Sequence, residues 1–311
     1  MKLEPKTIDE LSGSLATHLT RGEKITGINL SALNRILEYT PEDMTVTMEA
    51  GITLAALQVE LAKHGQWLPI DPSRSERLTM GALLANNESG PRRFGYGTIR
   101  EHLIGIKIML ADGKIIQGGG KVVKNVAGYD LCKLFVGSRG TLGVITEATF
   151  KLRPLPETEQ FVQAGFQSPE KAAAFLDTVF ESDLAPVVLD MHNLESRIIV
   201  VLGFAGARED VEWQAAKTRD LGANEPSSLE YEAVFWLHQL EDPLRHVSVP
   251  PSRVAEFVRD LGKVSFVARA GNGVIWYRGG PEPRSEELPV KLMQRVKDTY
   301  DPNQILPGLS F

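Results

Sequence analysis

Hydrophobic positions recur along this chain with two periods, and the places where the period changes mark its elements. Ile8, Leu11, Leu15 and Leu19 fall at helical spacing and predict a short amphipathic helix over 7–19. MTVTMEA at 44–50 alternates and reads as a strand stopped by Gly51. Thr53 then stands before Leu54, Leu57 and Leu61, an N-cap ahead of a helix with one apolar face, and Gly65 lies where a left-handed residue would close it. The stretch 30–37 reads as a turn or short helix, and 79–87 as another short helix. An apolar strand over 104–110, a hairpin turn at Ala111-Asp112-Gly113 and a return strand over 114–117 follow, then Gly118-Gly119-Gly120 and an alternating strand over 144–152.

Pro154-Leu155-Pro156 breaks the pattern, and a domain boundary is expected there, giving domains 1–154 and 155–311. Beyond it, strands are expected over 161–166, 186–191, 198–204, 247–249 and 264–268. Helices are expected over 169–180, 210–221, 252–261 and 288–300. Such mixing suggests an α+β sandwich.

With 311 residues, 42% hydrophobic and 24% charged, the chain has room for one large or two medium globular domains. A net charge of -6 and the lack of any Lys/Arg block argue against a nucleic-acid partner, which needs a basic footprint. The single cysteine, Cys132, excludes an internal disulfide and agrees with a reducing cytoplasm. No apolar run approaches the roughly 20 residues of a membrane helix, so no direct span is expected. The opening residues MKLEPKTIDELSGSLATHL are charged and do not read as a signal peptide. Attachment to a membrane through another subunit stays open.

The chemistry-bearing stretch is 79–156. It holds Gly81, Gly90, Gly95 and Gly97, and then GSRGTLGVIT from Gly137 to Thr146. Glycines at this density let a backbone approach a bulky ligand, and Ser138 and Thr141 add hydroxyls. An isolated glycine triplet would more simply be a surface turn; here it sits among further elements of one pattern.

That pattern resembles a known family. LTMGALLANNESGPRRFGYGTIREHLIGIKIMLADGKIIQGGGKVVKNVAGYDLCKLFVGSRGTLGVITEATFKLRPLP resembles the second half of the FAD domain of the vanillyl-alcohol-oxidase-like, or PCMH-type, FAD-linked oxidases. Its nearest branch is the FAD-binding subunit of glycolate oxidase, related to FAD-linked D-lactate dehydrogenases. The upstream run SALNRILEYTPEDMTVTMEAGITLAALQVELAKHGQWLPIDP and the late DPNQILPG match as well. The resemblance implies bound FAD and an α+β fold. A two-subdomain PCMH-type FAD domain would precede an α/β-sandwich cap, with the end of the chain returning to the FAD domain. Pro69, Asp71 and Pro72 would form a loop near the flavin. Thr79, Gly81, Asn86, Ser89, Gly90, Tyr96 and Gly97 match the segment lining the isoalloxazine and ribityl chain. Gly137, Ser138, Gly140, Thr141, Gly143 and Ile145 match the segment near the adenosine. Position by position, plainer roles exist: Asn86 as a cap, Ile145 as core.

The chain departs from the family in two places. The family opens with strand-helix-strand and a loop of the form RGGGT that wraps the FAD pyrophosphate. Here HLTRGEKITG runs straight into INLSALNRILEY, so a shortened N-terminal subdomain is expected, with the glycine cluster and one strand missing. Catalytic relatives also carry a His-x-Gly-(Asp/Asn)-Gly-x-x-His motif in the cap. VARAGNGVIWYRGG places Arg269 at the first histidine and Trp276-Tyr277 near the second, and neither Arg nor Trp binds zinc, so no metal is expected.

Oxidising a 2-hydroxy acid needs a base, a cationic clamp for the carboxylate and a flavin to accept hydride. His246 is the candidate base, and Arg245 or Arg269 the candidate clamp; a surface histidine and a structural ion pair are the plain alternatives. The resemblance implies an FAD-containing subunit of a glycolate or 2-hydroxy acid oxidase complex. Its expected partners are a sister FAD-linked oxidase subunit and an iron-sulfur subunit, since one cysteine cannot ligate a four-cysteine cluster. The alternative is a non-catalytic structural subunit that has lost FAD binding or turnover.

Overall fold

The computed structural model describes residues 1–120, 131–194, 197–237, 242–283 and 289–309. The 122–130 part of the matched run, VVKNVAGYD, and the expected start of the last helix at 288 lie outside them. The fold is mixed α+β, as the sequence predicts. The chain forms two compact units: Met1–Ser89 with Gly97–Leu155 and Glu287–Phe311, and Gly90–Tyr96 with Pro156–Glu286.

The first unit is built on a five-stranded antiparallel sheet. Its strands run in the order Ile36–Thr40, Thr45–Glu49, Val144–Lys151, Leu103–Met109 and Ile115–Gly119. The residues 30–37, expected as a turn or short helix, instead supply a turn and the start of the Ile36–Thr40 strand. Leu30, Leu33 and Ile36 are at helical spacing, but Ile36 pairs with Met48 and Tyr39 with Val46. Cross-strand packing on a half-buried surface outweighs a short local period.

The Ile8–Arg21 helix forms for the reasons its sequence suggests. The Thr7 hydroxyl accepts from Glu10 N, and Gly22, at φ 64°, closes the last turn. Leu11 and Leu15 are fully buried. They share a core with Ile25, Met109, Val144, Ile305 and Leu306, so residues near the end of the chain cover the helix near its start. Each buried leucine contributes about 2–3 kcal/mol. Lys2–Leu3 and Gly27–Ile28 pair in parallel on either side of this helix. A reduced strand-helix-strand unit is therefore present where a strand was expected to be missing. Between Arg21 and Ile36 the only glycines are Gly22 and Gly27.

The second unit is a seven-stranded antiparallel sheet. Its order is Glu225–Pro226, Thr158–Phe166, Ile198–Gly206, Val188–His192, Phe266–Arg269, Val274–Arg278 and Leu244–Ser248. Alternation along the central strands divides its two faces. Val200, Leu202 and Ala268 face a core with the helices Pro169–Phe180, Arg208–Asp220 and Val254–Leu261. Ile199, Val201 and Val267 face Tyr231 and Phe235 of the Glu230–Leu237 helix. That helix and the Val274–Arg278 strand have no counterpart in the pattern reading.

No helix among the described residues is long and apolar enough to cross a membrane.

Candidate functional site

In the first unit, the Leu131–Phe135 helix runs into the glycine turn. Gly137, Arg139 and Gly140 all take left-handed backbone, at φ 81°, 52° and 72°. The turn is fastened to the end of the Met80–Asn86 helix: Gly137 N donates to Leu84 O at 2.9 Å and Arg139 N to Ala85 O at 2.8 Å. Ser138 N donates to Phe135 O and Thr141 N to Ser138 O. The Thr141 hydroxyl donates to Ser138 O at 2.7 Å. Four amides of 137–141 are thus already bonded within the protein. The glycine count alone suggests a larger set of free anion-binding amides than the turn provides.

Two features of the turn still fit a bound cofactor. The Ser138 hydroxyl is buried and has no hydrogen-bond partner among the described residues. A buried polar atom without a partner is costly, and an external acceptor would relieve it. Gly140 presents open space, with no atom within 4 Å of where a Cβ would stand. The turn therefore offers an approachable backbone beside one unsatisfied hydroxyl, which fits FAD.

Several other matched positions have work inside the fold. Gly81 N donates to Ala50 O at 2.7 Å, and a Cβ there would meet Ala50 Cβ at 3.0 Å. A Cβ on Gly143 would meet Ile108 Cγ2 at 2.6 Å, so this glycine lets the turn close onto the sheet. Gly97, at φ 86°, makes room for Glu101, whose carboxylate accepts from Thr98 N at 2.6 Å. Thr79 caps the Met80–Asn86 helix through Ala82 N. The Ser89 hydroxyl accepts from Ile99 N at 3.1 Å. Ile145 is 5% exposed and pairs with Ile108 in the sheet. Asn86 is exposed and donates to Glu88. Pro69 and Pro72 are buried and Asp71 half-buried. Gln58 anchors this segment, accepting from Leu68 N and donating to Leu68 O. Gly90 and Tyr96 belong to the second unit, where Gly90 O accepts from Arg93 N. Arg92, beside them, pairs with Glu159 at 2.7 Å.

The three catalytic candidates do not converge. Arg245 and His246 are neighbours on one edge strand and so point to opposite faces. Arg245 lies opposite Tyr277 and His246 opposite Trp276. His246 is exposed, its ring 5.7 Å from that of Trp276. Arg269 is on the Trp276 face, its guanidinium 5.2 Å from the Trp276 ring. It is 2% exposed and bonded to two carboxylates, Asp190 and Glu232. Enclosed in that way, Arg269 is a structural cation rather than an open clamp.

Sequence reasoning missed what surrounds Arg269. The Tyr231 hydroxyl donates to Asp190 Oδ2 at 2.6 Å, and the Tyr231 ring stacks on His192 at 4.8 Å. Burial pushes the Asp190 carboxyl up to about 7, with Arg269 pulling it down and Glu232 adding to the rise. Burial holds His192 down to about 4. A cavity of about 450 Å³ opens against the His192–Tyr231 stack, lined also by Gln163, Ser227 and Glu230. No periodicity links residues 190, 192, 231, 232 and 269; only the folded sheet gathers them.

Comparison with known proteins identifies the first unit's chemistry. Residues 12–119 match the family described as FAD binding domain. Glycolate oxidase subunit GlcD of Bacillus subtilis is 36% identical over 168 residues, covering 54% of this chain and 36% of that protein. Glycolate oxidase subunit GlcE of Escherichia coli is 38% identical over 138 residues, covering 43% of this chain and 39% of that protein. A D-lactate dehydrogenase of Archaeoglobus fulgidus is 41% identical over 179 residues, covering 58% and 38%. These matches span well under half the length of each relative. Among solved structures, an alkyldihydroxyacetonephosphate synthase superposes over 98% of this chain and 75% of its own, with a TM-score of 0.77 at 17% identity, a likeness of fold. The match over residues 12–119 gives this chain an FAD-binding domain, and part of the chain is similar to glycolate oxidase subunits and D-lactate dehydrogenases.

Proposed function

We propose that this chain is an FAD-binding subunit of an oxidase or dehydrogenase acting on a small 2-hydroxy acid of the glycolate type. The observation that carries the reading is the turn at Ser138–Gly140, an unpartnered hydroxyl beside an open backbone in a chain with an FAD-binding domain. In this reading the first unit is a PCMH-type domain with a shortened N-terminal subdomain, and the second is the cap. Ser138 and Gly140 contact the cofactor directly. Thr79, Gly81, Gly97, Gly143 and Ile145 hold the walls in place, and Pro69, Asp71, Pro72, Asn86, Ser89, Gly137 and Thr141 complete the surroundings. FAD, when bound, supplies an acceptor for the hydride of a C–H bond beside a hydroxyl. His246 alone of the three catalytic candidates is exposed, and it is the proton acceptor here. The partners are a sister FAD-linked oxidase subunit and an iron-sulfur subunit; the similar glycolate oxidase proteins are themselves subunits.

A second reading has its own observation. The cap cation that replaces a histidine of the family motif is neutralised by Asp190 and Glu232. That favours a subunit that keeps the fold without turning over substrate.

The visible absorption spectrum of the purified protein, alone and with its partner subunits, separates the two, followed by denaturation to release the cofactor. Stoichiometric FAD that is bleached by glycolate or D-lactate supports the first reading. FAD without bleaching in the assembled complex supports the second. No flavin even with excess FAD and partners present would overturn the cofactor assignment.

A further inference from the structure

Lys297 and Asp301 form an ion pair at 2.7 Å with side chains 1% and 0% exposed. A buried pair is seldom retained for stability alone, because desolvating two charges offsets most of their attraction. Its remaining hydrogen bonds show what it joins. Lys297 Nζ donates to the carbonyl of Thr141, 156 residues earlier in the chain, at 2.9 Å. Asp301 accepts from Ile305 N and Leu306 N at 3.1 and 2.9 Å, which turns the late segment inward. Ile305 and Leu306 thereby enter the core with Leu11 and Leu15. Lys297 is held at one end by a segment anchored in that core. At the other end it grips the last residue of the Gly137–Thr141 turn.

That turn needs holding. Three of its residues, Gly137, Arg139 and Gly140, adopt left-handed backbone, and Arg139 does so without being glycine. Its first residues are fastened to Leu84 and Ala85. At its far end the Thr141 carbonyl is fixed by Lys297. The charged group has no solvent contact of its own and is too deeply buried to bind a ligand directly.

We infer that Lys297, with Asp301, is a positioning residue for the cofactor: it locks the Gly137–Thr141 turn in the conformation that receives FAD. This rests on the reading that the turn touches FAD, so the experiment tests that reading separately. FAD affinity is measured by fluorescence titration of the flavin-free protein, alongside its thermal midpoint. The set is the parent, Ser138→Ala, the neutral double variant Lys297→Met/Asp301→Asn, and Leu15→Ala as a control for general destabilisation. The double variant removes both charges together and keeps an Asn oxygen for one of the two amides, Ile305 N or Leu306 N, and its thermal midpoint reads whether it folds.

A tenfold weakening corresponds to about 1.4 kcal/mol. The expected result is FAD bound about tenfold more weakly by both S138A and the double variant, while L15A loses thermal stability and keeps its affinity below its midpoint. If S138A weakens FAD and the double variant stays within about twofold of the parent, the Lys297 assignment is overturned. If neither changes affinity, the turn does not touch FAD and the assignment falls with it.

Discussion

Arg269 Nη1 lies 2.5 Å from Asp190 Oδ2, and the two side chains are 2% and 1% exposed. The same nitrogen reaches Glu232 Oε1 at 2.6 Å, so one cation holds two carboxylates against the sheet. Arg269→Met removes the cation shared by the two buried carboxylates, and a loss of about 3–5 kcal/mol is expected. Adding Asp190→Asn and Glu232→Gln should restore most of it. Urea unfolding of the single and triple variants is the check. An unchanged midpoint for the single variant would mean that Arg269 is not structural and return it to the list of substrate clamps.

His192 gives the second unit a defined acid response. Its folded-state value is depressed to about 4 from an ordinary 6.5 by burial, partly opposed by Glu232. The unfolded chain therefore takes the proton first as pH falls. The stability tied to neutral His192 is present above about pH 6.5 and is lost as pH falls toward 4. Asp190 acts in the opposite sense: raised to about 7, it contributes stability at low pH that is lost as pH rises through that value. Comparing the parent with His192→Phe, which keeps a ring against Tyr231, cancels the Asp190 contribution. The variant should gain on the parent by up to about 3 kcal/mol between pH 6.5 and 4. A difference that does not vary with pH would sink the argument.

Two glycines of the same motif should respond differently to alanine. At Gly143 a methyl collides with Ile108 Cγ2 and crowds Phe135. Overpacking of this kind costs about 1–3 kcal/mol, so Gly143→Ala should lower the melting temperature and leave FAD affinity nearly unchanged. At Gly140 a methyl meets no atom of the described residues within 4 Å, but φ is 72°. Gly140→Ala should cost about 1 kcal/mol of stability and weaken FAD binding more than Gly143→Ala does. Calorimetric melting and flavin titration on both variants settle the order; the reverse order would show that Gly143, not Gly140, faces the cofactor.

The capped helices and the alternating strands were legible because each is specified by neighbours in sequence. Thr53 caps as its place in the sequence predicts, and Thr7 and Thr79 cap the helices expected to begin at them. The Pro169–Phe180 helix begins and ends where the pattern does. The Glu230–Leu237 helix was illegible because EYEAVFWL mixes β-branched and aromatic residues and acquires its one-sided burial only against Ile199 and Val201. In the candidate site, the glycine motif was visible but its division of labour was not. Spacing cannot distinguish a glycine that admits a ligand, such as Gly140, from one that admits Ile108, such as Gly143. The grip of Lys297 on Thr141 has no local signature at all, since it joins positions 156 apart.

The first unit is interrupted in sequence by nearly all of the second and resumes only for its last helix and turn. During synthesis, the core around Leu11 and Leu15 stays incomplete until Ile305 and Leu306 have been made. The sheet of Pro156–Glu286 can complete itself in the meantime. Loss of Ile305 and Leu306 would therefore injure the Ile8–Arg21 helix, far from them in sequence.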